Sequence, residues 1–224
     1  MALSADSRQE PIIYQGQFGP FQIEDHDRQE VIGYRTGLVI AALCFALGTA
    51  SVLWWGDQIW VLQSLSLLYI VFWLALGFSL LKIHIYLKPL HLLLQGFWLI
   101  GGFASLAIAH FSPDPFVLTV YQQPASLWGV GFTFAALTGI FFKEAFCFNR
   151  LETKLLTPLV PLLILGHMFH FLPEQWKGIL LGTWAVSFLI FALRKVMQPI
   201  PPDIGDKSVF EYLVRQKEQA QTSS

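Results

Sequence analysis

The stretch TGLVIAALCFALGTASVLWWG, residues 36–56, decides the fold: 21 residues pass without one charged side chain and end on a tryptophan pair before a glycine. A helix needs about 20 predominantly apolar residues to cross a hydrocarbon core roughly 30 Å thick. Working outward, the same signal recurs at residues 58–81, 89–113, 115–142, 155–173 and 178–193, none of which contains Asp, Glu, Lys or Arg. Asp114 falls between the third and fourth stretches. The sixth is short and reaches the interface through Trp176 and Lys177, with the lysine snorkelling.

Composition agrees. The chain of 224 residues is 54% hydrophobic and 13% charged, against about 25% charged in soluble domains. Six successive spans with short polar breaks exclude a soluble α domain. The expectation is an all-α polytopic membrane protein: a bundle of six transmembrane helices over 34–195, with tails at 1–33 and 196–224. The first 30 residues are polar and acidic, with no basic segment leading an apolar one, so no cleavable signal peptide is read and the first span serves as its own insertion signal. Cys44 falls within a span and Cys147 after the fourth. Their different depths make them packing residues rather than a disulfide.

Charge position gives orientation. Arg8, Arg28, Arg35, Lys82, Lys88, Lys143, Arg150, Lys154, Arg194, Lys195, Lys207, Arg215 and Lys217 fall on one side, 13 of the 14 Lys and Arg, and Lys177 alone on the other. The positive-inside rule puts both tails in the cytoplasm and Asp57, Asp114 and Glu174 outside. Trp54, Trp55, Trp60, Trp128 and Trp176 cluster at the outer ends, where indole rings favour headgroups. Trp73, Trp98 and Trp184 fall mid-span and pack between helices. Pro113, Pro115 and Pro124 bracket residues 116–123, too short to span and suited to an outer interfacial segment.

The tails carry order of their own. Residues 14–23 read as extended with a Gly-Pro turn signal, and 24–30 as a polar interfacial helix leading into the first span. Residues 198–206 are Pro-rich and exclude a regular helix. Ser208-Val-Phe-Glu211 matches a capping box, so a short amphipathic helix follows with Val209, Phe210 and Leu213 on one face. No internal repeat is visible, so an inverted-repeat transporter finds no support.

Chemistry is sparse. The span centres hold Gln63, Ser64, Ser66, Gln95, Ser105, Thr133, Thr138 and Ser187, which hydrogen-bond between helices, and no ionisable group of the kind that ion-coupled transport uses. Gly33-x-x-x-Gly37 and Gly178-x-x-x-Gly182 are packing motifs. His110, His167 and His170 lie towards the outer side, the last two sharing a helical face. They are the candidates for a metal or haem site, although nearby ligand motifs are missing and interfacial histidines are the plainer reading. The expected cofactor is none. The richer surface is cytoplasmic, with Lys82, His84 and Lys88 in the second loop and Lys143, Glu144, Phe146, Phe148 and Arg150 in the fourth. Its basic residues suit anionic headgroups, and its aromatics beside Arg150 suit another membrane protein. Lys143 and Glu144 do not read as a catalytic pair, because adjacent helical residues diverge.

Three strings, GVGFTFAALTGIFFKEAFCFNR (129–150), KIHIYLKPLH (82–91) and PIPPDIGDKS (199–208), resemble the integral membrane family called domain of unknown function 2301. The resemblance covers roughly residues 12–213. It implies a photosynthetic prokaryote, and hence a plasma or thylakoid membrane, and supplies no activity or catalytic residue.

The expected function is therefore a non-enzymatic assembly, scaffold or interaction factor working through its cytoplasmic face on lipid or a protein partner, with no nucleic acid involved. The alternatives are a facilitator for a small neutral or amphiphilic solute, which needs no buried charge along its path, and a redox protein using the outer histidines.

Overall fold

The computed structural model describes residues 12–56 and 58–222. Arg8 and Asp57, and the side chains of Phe210, Glu211 and Lys217, lie outside the described residues. The chain forms two compact units, one of residues 32–198 and one of the segments up to Val31 and from Pro199.

The larger unit contains α1 (Asp25–Trp55) from Ile32 onward, α2 (Ile59–Lys82), α3 (Lys88–Phe111), the short α4 (Phe116–Gln122), α5 (Leu127–Phe148), α6 (Leu151–Met168) and α7 (Glu174–Met197). Six of these are long and apolar enough to cross a membrane. Short connections make successive long helices antiparallel. One end of the bundle, the basic end, carries Lys82, Lys88, Lys143, Arg150, Lys154, Arg194 and Lys195. The other, the tryptophan end, carries exposed Trp54, Trp55, Trp60, Trp128 and Trp176.

Local chemistry sets the boundaries. Pro89 stands in the first turn of α3, where its missing N–H is needed by no partner. Asn149 ends α5 in the left-handed region at φ 52°, a conformation its short polar side chain tolerates. Pro158 and Pro161 lie inside α6, as neighbouring helices permit in a membrane bundle. Pro173 precedes the first turn of α7.

The core is aromatic at its centre. Trp184 packs on Phe45 at 4.3 Å and against the edge of Phe134 at 5.4 Å, while Phe141, Phe188 and Phe191 extend the cluster towards the basic end. The small residues act locally: Gly37 lets α1 approach the Ala75 carbonyl and Ser79 of α2, and Ser79 Oγ donates to the Tyr34 carbonyl at 2.9 Å. Gly178 and Gly182, by contrast, face Leu53 at ordinary contact distance. Among the mid-span hydroxyls, Tyr69 joins Ser105 at 2.7 Å and Thr133 at 3.1 Å, tying α2, α3 and α5, whereas Ser64, Ser66 and Thr138 return to carbonyls of their own helices.

In the smaller unit, β1 (Ile13–Gly16) and β2 (Gly19–Gln22) pair antiparallel with Gly16 opposite Gly19, closing on Gln17 and Phe18. A single helical turn, α8 (Pro201–Ile204), and α9 (Ser208–Thr222) follow from the other end of the chain. The Pro-rich segment thus departs from the sequence expectation. Proline is excluded from helix interiors, but Pro201 and Pro202 occupy first-turn positions, where no N–H is required. Asp206 clasps the unit: its Oδ2 accepts from the Gln17 amide at 2.6 Å, and its Oδ1 accepts from the Ser208 amide at 3.0 Å and hydroxyl at 2.6 Å. A side chain at Gly16 would collide with this carboxylate. Phe18 stacks on Tyr212 at 4.1 Å, and Lys207 meets Asp27 at 2.7 Å. Residues 25–30, expected as an interfacial helix leading into the first span, form the first turns of α1 itself.

Candidate functional site

On α5 the buried face runs Leu137, Ile140, Phe141 and then Glu144; on α7 it runs Phe188, Phe191, Ala192 and then Lys195. Both series keep helical spacing, so a carboxylate and an ammonium occupy positions that the periodicity reserves for apolar side chains. They meet. Lys195 Nζ reaches Glu144 Oε2 at 2.5 Å, and both side chains are 0% exposed. Glu144 Oε1 accepts from Lys143 Nζ at 2.9 Å and from the Tyr34 hydroxyl of α1 at 3.1 Å. Lys143 is adjacent in sequence and leaves its helix in another direction, but its four-carbon stem folds back to the same carboxylate.

Aromatic faces complete the enclosure. Lys195 Nζ lies 3.9 Å from the Phe148 ring centroid, and Lys143 Nζ and Arg150 Cζ stand at 5.6 and 5.8 Å from the same ring. Arg150 Nη2 donates to the Gln198 side chain at 2.6 Å, and Arg35 Nη1 to the Gln198 carbonyl at 2.6 Å. Beside them Arg194 pairs with Glu152 at 3.0 Å. Removing charges from water costs several kcal/mol per ion, repaid only when geometry and hydrogen bonding are good. Glu144 meets that condition by sharing its two oxygens among three donors. The arrangement locks α1, α5 and α7 together at the basic end.

Of the expected surface residues, the structure brings Lys143, Glu144, Phe148 and Arg150 into this cluster. Phe146 points outward at 84% exposure, Lys88 is exposed, and Lys82 and His84 are half-buried at the α2–α3 connection. His91, in the first turn of α3, bonds the Leu80 carbonyl of α2 at 2.6 Å. Tyr34, Lys195 and Gln198 were not singled out from sequence. The available signal was the apolar period of α7, which passes through Lys195.

At the tryptophan end the histidines do not converge on one point. His167 bonds the Tyr121 carbonyl at 3.0 Å and stacks on the Tyr121 ring, His170 lies 6.5 Å from it ring to ring, and exposed His110 packs on Phe111. Among the described residues no group of three His, Cys, Asp or Glu is placed to hold a metal ion. The same end contains a cavity of about 430 Å³, walled by Phe45 and Leu53 of α1, Val117 of α4, Phe134 of α5, Ile164 of α6 and Leu181 and Trp184 of α7. Tyr121, His167, Glu174 and Lys177 supply its polar groups. Glu174 pairs with Lys177 at 2.5 Å and accepts from the Tyr121 hydroxyl at 3.1 Å, so the opposite charges there compensate each other. Its size is within the range of small-molecule sites, about 300–1,000 Å³.

Six apolar helices, locked at one end and hollow at the other, define a multi-pass integral membrane protein. The chain belongs to the family described as uncharacterized integral membrane protein (DUF2301), which matches residues 78–212 and so includes Lys143, Glu144, Arg150 and Lys195. It is 30% identical over 195 residues to an uncharacterized protein of Haemophilus influenzae, a match covering 83% of this chain and 92% of that one. A relative in Haemophilus means that membership does not by itself imply a cyanobacterial source or a thylakoid membrane. No solved structure matches the chain.

Proposed function

We propose that this protein binds a small neutral or amphiphilic molecule within the membrane and facilitates its passage, admitting it at the tryptophan end. One opposition carries the reading: a cavity of about 430 Å³ at that end against the buried Glu144–Lys195 pair, joined by Lys143, at the other. The apolar walls and compensated polar groups suit a molecule without net charge, and the lock supplies the barrier that a facilitator must open. By the positive-inside rule the locked end faces the cytoplasm.

The test uses the full chain reconstituted in vesicles and a fluorescent long-chain alcohol chemically quenched from outside. Wild type is expected to speed equilibration of the probe between leaflets over empty vesicles, and Gly178→Leu, which adds bulk to the cavity wall, to abolish the gain. Equal rates with and without protein would overturn the proposal.

A second reading, an interaction or scaffold factor acting through the basic end, is favoured by the exposure of Phe146. Partner recovery lost on Phe146→Ala, with the bundle intact, would support it.

A further inference from the structure

A second cavity, of about 200 Å³, lies deeper in the bundle between α1 and α2. It shares Phe45, Val52, Val117, Phe134 and Leu181 with the cavity at the tryptophan end. These five come from α1, α4, α5 and α7, so they encircle a neck between an outer and an inner chamber. Phe45 and Phe134 each pack on Phe72 at the inner side, at 6.3 and 5.9 Å, and on Trp184 at the outer, at 4.3 and 5.4 Å. Phe72 stands about 20 Å along α2 from Ile59, so the inner chamber reaches beyond the middle of a hydrocarbon core roughly 30 Å thick.

The two chambers differ in chemistry. Tyr121, His167, Glu174 and Lys177 line the outer chamber, and none of them lines the inner one. Of the inner lining, only Cys44, Thr49 and Tyr69 carry side-chain heteroatoms, and the Tyr69 hydroxyl is engaged by Ser105 and Thr133. Cys44, Gly48, Thr49, Leu65 and Phe72 are buried. An apolar cavity of about 150 Å³ stays dry and accepts a hydrocarbon guest, whereas a buried water needs two to four polar partners.

We infer that the inner chamber takes the alkyl tail of a single-chain amphiphile whose neutral polar head rests in the outer chamber. The neck admits one chain, and the polar groups stand at one end of the path only, which fixes the direction of the ligand. This inference rests on the outer cavity being a ligand site, as in the proposed function, and adds the ligand's class and orientation.

The experiment uses two primary alcohols with a diazirine at the far end of the chain, one of six carbons and one of fourteen, on the full chain reconstituted in vesicles. Adducts are mapped by peptide mass spectrometry, with excess 1-tetradecanol as competitor. Glu174 to Leu181 covers about 10 Å of α7, so the short chain ends near the neck and the long one passes through it. Competable adducts are expected at Phe45, Val117 and Leu181 for the short alcohol and at Cys44, Leu68 and Phe72 for the long one. Gly48→Leu, which adds bulk to the inner chamber against Leu65, should remove the inner adducts and keep the short alcohol's. If that variant fails to fold, the comparison of the two alcohols on wild type decides alone. Competable adducts at the same residues for both alcohols would overturn the inference and leave the cavity reading standing. No competable adduct with either alcohol would remove the cavity reading as well.

Discussion

Trp73 and Trp98 donate their indole N–H groups to each other's backbone carbonyls across stacked rings 4.4 Å apart. Each stands four residues before a glycine, Gly77 and Gly102, and a side chain at either glycine would run into the other helix's tryptophan. The antiparallel pair α2 and α3 is thus joined by one self-complementary motif used twice, which buries two indoles with their polar groups satisfied.

Gly77→Ala or Gly102→Ala is expected to lower stability by about 1–3 kcal/mol through overpacking against a rigid ring. Gly96→Ala on the same α3, where a side chain would meet nothing within 4 Å, is the control and should be neutral or slightly stabilising. Unfolding of the purified protein in detergent checks the contrast, and equal effects at Gly96 and Gly102 would contradict it.

Glu144→Gln takes the carboxylate charge away from buried Lys195 and half-buried Lys143 and is expected to destabilise by about 3–5 kcal/mol. Replacing Glu144 by Leu together with Lys195 by Met should recover much of that loss. A double-mutant cycle on unfolding midpoints measures the coupling, and additive effects would show that the two residues do not act as a pair.

The Gln17 amide and the Ser208 hydroxyl hold the Asp206 carboxyl below the usual carboxylate range. A depressed folded pKa means that the contribution is fully present above the ordinary Asp pKa, declines as pH falls, and is lost as pH passes below the folded value. The amide resonances of Gln17 and Ser208, followed by NMR in acid, should shift together at a pH below that of a free Asp. Asp206→Asn should remove the transition.

Orientation is checked by labelling. In a Cys147→Ser background, a cysteine at Asp114 is expected to react with a membrane-impermeant reagent in intact cells, and one at Lys154 only after permeabilisation. The reverse order would invert the assigned sides.

The bundle was legible because its signal is the absence of charge over membrane-length runs, which few other structures imitate. Glu144 and Lys195 were harder to place. Charges near a span end read as interfacial, and only the continuation of the apolar period through them marks them as inward-facing. The cavity was not legible at all, since Phe45, Val117, Leu181 and their neighbours do not differ in composition from lipid-facing residues and come from five helices. The Asp206 clasp was equally hidden, because its partners Gln17 and Ser208 are 189 and 2 residues away. Residues that carry the family resemblance nonetheless fall on two of these features: Lys143, Glu144, Phe148 and Arg150 belong to the lock, and Pro201 to Ser208 supply the α8 turn and part of the clasp.

Photolabelling of the cavity at the tryptophan end is the most direct test of a ligand site there. A neutral long-chain diazirine is equilibrated with the reconstituted protein, irradiated, and its adducts mapped by peptide mass spectrometry. The prediction is saturable labelling concentrated at Val117, Phe134, Leu181 and Trp184 and lost in Gly178→Leu. Labelling that never saturates and is confined to outward-facing residues such as Leu67, Phe103 and Val186 would contradict it.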